Sequence, residues 1–296
     1  MNSRWSTHPI KRGGEIVSIR PNVAGDIEIL KCLGRYTVLT AQDIAALTKR
    51  SYGAVIARLN LLKRKPHELI RVHATQMEQP RVFQWSPQVF HLTPPGISKL
   101  RDMGFEPSER SSKQFIHQIT ESQTAASFEV GARAAGLEHI VLPLTPIPVS
   151  FSYKGKDYRE HHIIPDGGII GLGYAGDLYR FMVFETDCAT EPLESSNRDR
   201  QTIETKFAAY LTLFESGLYK QWDIPDLCLT VLFTTLSKTR MNSMRDLLAS
   251  MSDKYLSYFG FQTFGTILSS GDKPEPGWAV TRPWNRVKSP LNLGEA

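Results

Sequence analysis

The sequence predicts an α+β chain in two unlike parts, and three features predict it. Between Asp26 and Leu62, apolar residues recur at helical spacing behind capping residues. From Leu69 to Leu92 the period shortens toward two. Beyond Phe115, long helical patterns alternate with apolar runs such as Leu227–Thr234. A chain of 296 residues has room for about two domains.

A first helix begins near Asp26, carrying Ile27, Ile29, Leu30 and Leu33, with Gly34 as its expected stop. Thr40 with Asp43 three residues on approximates a capping box, and Ile44 and Leu47 give the helix behind it an inner face. After Thr48-Lys49-Arg50, Ser51 can cap the next helix, which bears Val55, Ile56, Leu59, Leu61 and Leu62 and ends in Lys63-Arg64-Lys65 before Pro66. Two short helices joined by a tight turn, the second one basic, define a helix-turn-helix. The β-rich runs Leu69–His73, Arg81–Trp85 and Gln88–Leu92 read as a wing behind it, and Thr93-Pro94 opens a further helix that Gly104 ends. The phrase LTPPGISKL resembles the strand-to-helix exit of many winged-helix domains. Residues 21–105 are therefore expected to form a winged helix-turn-helix, with 1–20 a basic flexible arm and 106–112 a linker.

The second part, 113–270, is expected to be α/β, with 271–296 an irregular, polar tail. Helices are expected over Phe115–Ala135, Asn197–Ser216 and Met241–Tyr255. Strands are expected at 140–142, 147–153, 179–187, 227–234 and 261–268. Gly171 to Gly176 reads as a hairpin turn.

On the second short helix, the residues expected to face outward toward duplex DNA are Ser51, Tyr52, Arg58, Asn60, Lys63 and Arg64. Arg and Asn can pair bidentately with guanine and adenine edges, and Lys63 and Arg64 suit phosphate. Arg71, His73 and Arg81 are cations of the wing. Charge distribution agrees: residues 1–110 hold 17 Lys and Arg against 9 Asp and Glu, or +8, and the remainder 18 against 21, or −3. The same residues would serve equally as a solvated surface or as helix-dipole partners. A homodimer is expected, because one such helix reads a half-site.

In the second part, Asp166 follows a strand, and Glu185 and Asp187 share one face of another. Converging carboxylates can hold Mg2+ or Mn2+ and so activate water beside a phosphate. The alternative is ion pairing with Arg159, Arg198 or Lys206. Of the neighbouring His161 and His162, adjacent in a strand, at most one can join the acids. No GxxxxGK[ST] loop is present, which argues against a nucleotide cofactor.

Pro165-Asp166, then Phe184-Glu185-Thr186-Asp187, then a helix with Lys206 and Tyr210, resemble a PD-(D/E)xK nuclease-type core. Together with HLTPPGISKL and Phe115-x-His117 opening the second part, the chain resembles the replication-relaxation family of plasmids, phages and other mobile elements, over roughly residues 25–250. The resemblance implies a restriction-endonuclease-like second domain with Asp166 and Glu185 as metal-binding acids. It implies a part in replication, mobilisation or regulation of a mobile element. The family's lysine is missing two residues after Glu185, where Asp187 stands; Lys206 could supply the ammonium from the next helix, and Glu121 or Glu129 a further acid. His117 gains a candidate role by the same resemblance. The acids fit equally a structural network in a fold that no longer cleaves. A transcriptional regulator whose second domain dimerises or senses a ligand is the remaining alternative.

Three cysteines far apart, Cys32, Cys188 and Cys228, argue against a disulfide framework and for buried, reduced thiols. With no signal-peptide pattern and no apolar run of ~18 residues, a cytoplasmic protein without membrane contact is expected.

Overall fold

A computed structural model of the chain describes residues 10–12, 15–17, 23–109, 114–176, 178–189, 191–195, 201–224, 228–264 and 275–295. It is mixed α+β and contains a mixed sheet. Most of the expected N-terminal arm lies outside the described residues, but β1 (Ile10–Arg12) and β2 (Glu15–Val17) pair antiparallel.

The front part comprises α1 (Val23–Tyr36), β3 (Val38–Thr40), α2 (Ala41–Thr48), α3 (Tyr52–Leu62), β4 (Ile70–Val72), α4 (Ala74–Glu78), β5 (Val89–Leu92) and α5 (Pro94–Arg101). Local chemistry sets the start of α2. Thr40 Oγ1 accepts from Asp43 N while Asp43 Oδ2 accepts from Thr40 N at 2.9 Å, a complete capping box. Lys49 takes a left-handed conformation (φ 54°) and turns the chain, and Ser51 Oγ accepts from Ala54 N to start α3. The antiparallel sheet has the order β3-β5-β4 and lies under the helices. Ile29, Leu33, Ile44, Leu47, Val55, Leu59, Ile70, Phe90 and Leu100 fill the space between. Each such side chain contributes about 1.5–3 kcal/mol of burial.

Two expectations for the front part change. Gly34 does not stop α1, which runs on to Tyr36; a Cβ at Gly34 would lie 2.8 Å from Leu100 Cδ1, so the glycine serves close packing of α5 and Phe105. Residues 81–85 are not a strand but turns following α4. Val82 N and Phe83 N donate to Gln79 O, and just beyond, the Gln76 side chain accepts from Val89 N and donates to Pro87 O. Phe83 is buried against Phe115, and Trp85 points to solvent.

The back part opens with α6 (Phe115–Ala134). It continues through β6 (Glu138–Leu142), β7 (Ile147–Tyr153), β8 (Lys156–Ile163), β9 (Asp166–Tyr174), β10 (Leu178–Asp187) and α7 (Ile203–Ser216). It closes with β11 (Leu229–Thr235), α8 (Lys238–Met251), β12 (Phe259–Thr263) and α9 (Trp278–Thr281). The five-stranded sheet has the order β12-β11-β10-β9-β6, with β10, β11 and β12 parallel and β9 and β6 antiparallel to their neighbours. Alternation along β10 sends Phe181 and Val183 toward α7 and α8, and Met182 and Phe184 toward α6. β7 and β8 form a separate hairpin. Gly171 and Gly173 lie inside β9 rather than in a turn, packed against Ile140 and Tyr179.

The described tail residues are turns and isolated bridges apart from α9, but they pack into the core rather than lying on the surface. Trp278, Val280, Trp284, Leu291 and Leu293 cover the α6 face of the sheet, and Gly131 of α6 leaves room for Gly277, whose carbonyl would meet a Cβ at 2.5 Å. The strand expected to Leu268 is described to Thr263, and residues 265–268 lie outside the described residues, as do 197–200 of the helix expected from Asn197. Helix α6 packs against both parts. Gln123 Nε2 donates to Asp43, Arg133 Nη1 donates to Leu47 O, and Ser108 of the expected linker bonds Gly34 O and Arg35 O. The three cysteines are half-buried and form no disulfide, and burial pushes the Cys32 thiol up to about 12. No helix among the described residues is long and apolar enough to cross a membrane.

Candidate functional site

Two groups of the expected residues separate in space. The first is the outer side of α3. Ser51, Tyr52 and Arg64 are exposed, Tyr52 to 57%. Asn60 and Lys63 are half-buried at the same helix, and Arg71 and Arg81 are exposed around the β4–β5 connection. Trp85 in the same connection is 86% exposed, although the sequence predicts a strand there.

Arg58 does not face outward. Its Nε donates to Asp26 Oδ1 at 2.7 Å and its Nη2 to Oδ2, tying α3 to α1. Local pattern cannot reveal this, because the partner lies 32 residues away, outside any helical i,i+4 relation. Arg58→Ala is accordingly expected to act on stability. It removes a charge-assisted bidentate pair and leaves Asp26 poorly solvated, a loss of about 2 kcal/mol. Urea denaturation checks the value, and a variant as stable as the parent would refute the pairing. His73 is likewise no surface cation: it is buried, stacks on Phe115 and accepts from Thr75 N at the start of α4.

The second group lies at the ends of β9 and β10. Glu185 Oε1 accepts from Tyr210 and Oε2 from Lys206 Nζ at 3.1 Å, both donors standing on α7. Asp166 Oδ2 accepts from Thr186 N at 2.7 Å and lies 3.4 Å from His117 Nε2 of α6. His117, Glu121 and Asp166 each bring one ligand-type atom within 4.8 Å of the others. Burial raises the Glu185 carboxyl above its ordinary range, with Lys206 opposing and Asp166 adding to the shift. Burial also opposes the Lys206 charge, but Glu185, Glu191 and Asp166 outweigh it and hold the ammonium protonated. A carboxylate pair and a fixed ammonium thus converge where β9 and β10 end beside α6 and α7.

Asp187 does not join them. It shares the Glu185 face, as period two requires, but is turned into a pair with Arg240 Nε and Nη2 and a hydrogen bond from Thr235 Oγ1 at 2.7 Å. Its buried charge is engaged in holding α8 to the sheet. Glu129 is also engaged elsewhere, by Tyr36, Arg35 and Arg133. Burial works against its charge, yet these partners hold its carboxyl below the usual range. His161 packs on Phe151 and Tyr158 in the β7–β8 hairpin, and neither it nor His162 is in the cluster. The His117–Glu121 spacing of four on one helix was the available signal for that cluster.

A cleft of ≈ 780 Å³ runs between α1, α6 and β6, lined among others by Glu121, Glu129, Arg133, His139 and Gly167. Its lining includes Glu121 and Gly167, the residue that follows Asp166 in the sequence. No protein-family model, curated protein or solved structure matches this chain.

Proposed function

We propose that the chain is a sequence-directed double-stranded DNA-binding protein of the replication-relaxation kind. In this reading α2 and α3 form the helix-turn-helix and the β4–β5 connection its wing. The mixed-sheet part is a restriction-endonuclease-like domain, and the protein serves replication, mobilisation or regulation of a plasmid, phage or other mobile element. The observation that carries the reading is α3 itself. It is capped by Ser51 behind the left-handed turn at Lys49, it buries Val55, Leu59 and Leu62, and it leaves Tyr52 and Arg64 exposed with Lys63 beside them. The +8 balance of residues 1–110 supplies attraction to phosphate. Two copies binding as a homodimer would read two half-sites.

The test is selection from a randomised duplex library. An enriched sequence bound at least a hundredfold more tightly than its scrambled version is expected. Asn60→Ala and Tyr52→Ala are expected to relax preference at particular base pairs. Equal binding to all duplexes, or none, would contradict the reading.

A second reading, a metal-dependent DNA endonuclease, is favoured by one observation: Lys206 lies 3.1 Å from Glu185, with Asp166 close by. An ammonium held there can stabilise charge on a phosphate, and Asp166 can hold Mg2+ or Mn2+. Under this reading duplex is nicked only with added cation. Lys206→Ala and Glu185→Gln should then abolish nicking while duplex binding persists.

A further inference from the structure

We infer that His117, Glu121 and Asp166 form a binding site for one divalent transition-metal ion, with Glu185 and Lys206 outside its ligand set. The inference deepens the endonuclease reading of this centre and does not depend on DNA recognition by α3. It differs from the expectation that Asp166 and Glu185 share the ion.

Two donors each about 2.1 Å from one ion stand about 3.0–3.4 Å apart at octahedral or tetrahedral angles. His117 Nε2 and Asp166 Oδ2 are 3.4 Å apart. The Glu121 carboxylate, one turn along the same face of α6, comes within 4.8 Å of both and needs only a rotamer adjustment to complete three ligands. Second, the Asp166 carboxylate is already oriented by Thr186 N, the outer contact that ligating carboxylates need. Third, Glu185 is engaged elsewhere, its two oxygens taking Tyr210 and Lys206. Fourth, Glu121 lines the ≈ 780 Å³ cleft, so one of the three donors is open to solvent, and Gly167, next in sequence to Asp166, lines the same cleft.

The donor set selects the ion. Mg2+ prefers oxygen and keeps its waters, whereas an imidazole with two carboxylates suits Mn2+ or a later first-row ion.

The experiment is titration of MnCl2 into the full, chelator-treated chain, followed by calorimetry and by electron paramagnetic resonance. One Mn2+ per chain is expected, more than tenfold tighter than Mg2+, with a pulsed-resonance coupling to one imidazole nitrogen. His117→Ala should abolish that coupling and weaken Mn2+ at least tenfold. Glu121→Gln, a cleft-lining change, should also weaken it at least tenfold and tests the site even if the first variant misfolds. Glu185→Gln should weaken it less than either. Absence of Mn2+ binding, or binding that neither the His117 nor the Glu121 change weakens, overturns the inference. Duplex binding measured in chelator keeps the two questions apart: loss of Mn2+ with retained duplex binding is the expected outcome for both ligand variants.

Discussion

Arg240→Ala is expected to destabilise the protein by about 3–5 kcal/mol, because it leaves the Asp187 carboxylate charged and without its cation. The Asp187 side chain is 2% exposed and that of Arg240 17%. The pair joins the end of β10 to α8, and Arg240 also donates to Glu191 O in the connection toward α7. Removing the guanidinium therefore loses several charge-assisted bonds at once. Thr235 Oγ1 and Ala189 N still donate to the carboxylate, which limits the loss but does not neutralise the charge. The companion measurement is Arg240→Ala with Asp187→Ala. Since the large penalty is that of one uncompensated buried charge, the double variant should be more stable than Arg240→Ala alone. Additive losses would show that Asp187 does not depend on Arg240.

Trp284→Ala should have an effect of similar size, about 3–5 kcal/mol in urea denaturation, through the cavity left in the second face of the sheet. Trp284 is fully buried, stacks on Phe128 of α6 with ring centroids 6.3 Å apart, and donates its indole N–H to Ala279 O at 2.7 Å. Its backbone also pairs with that of Leu291, so the last described segment lies against it. A loss below about 1 kcal/mol is what an exposed tail would give, and would remove the C-terminal segment from the core.

These two residues mark where sequence reasoning stops. What was legible is local. The Thr40–Asp43 box and the Ser51 cap are contacts over three residues, and their geometry follows from side-chain reach alone. Helix α6 and strand β10 carry periods long enough to survive any tertiary context, and alternation alone placed Glu185 and Asp187 on one face. It could not tell that one would meet Lys206 and the other Arg240, because those partners come from two different helices. The same holds for Arg58 with Asp26, where an outward arginine and an inter-helix tie have the same local pattern. The stretch Arg81–Trp85 looks β-rich, yet only Phe83 is buried, and backbone turn bonds to Gln79 O and Phe83 O take the place of ladder bonds. The polar, Pro-containing tail concealed Trp278 and Trp284 because composition averages over the few side chains that pack.

Fluorescence anisotropy of a labelled duplex, titrated with the full chain across a range of salt, tests the outward face of α3 most directly. The account predicts that log affinity falls linearly with log salt concentration, and that Lys63→Ala and Arg64→Ala each weaken binding and each reduce the slope by about 1. Arg58→Ala, measured where it is still folded, should leave the slope unchanged. Unaltered affinity and slope in both the Lys63 and Arg64 variants would contradict the account.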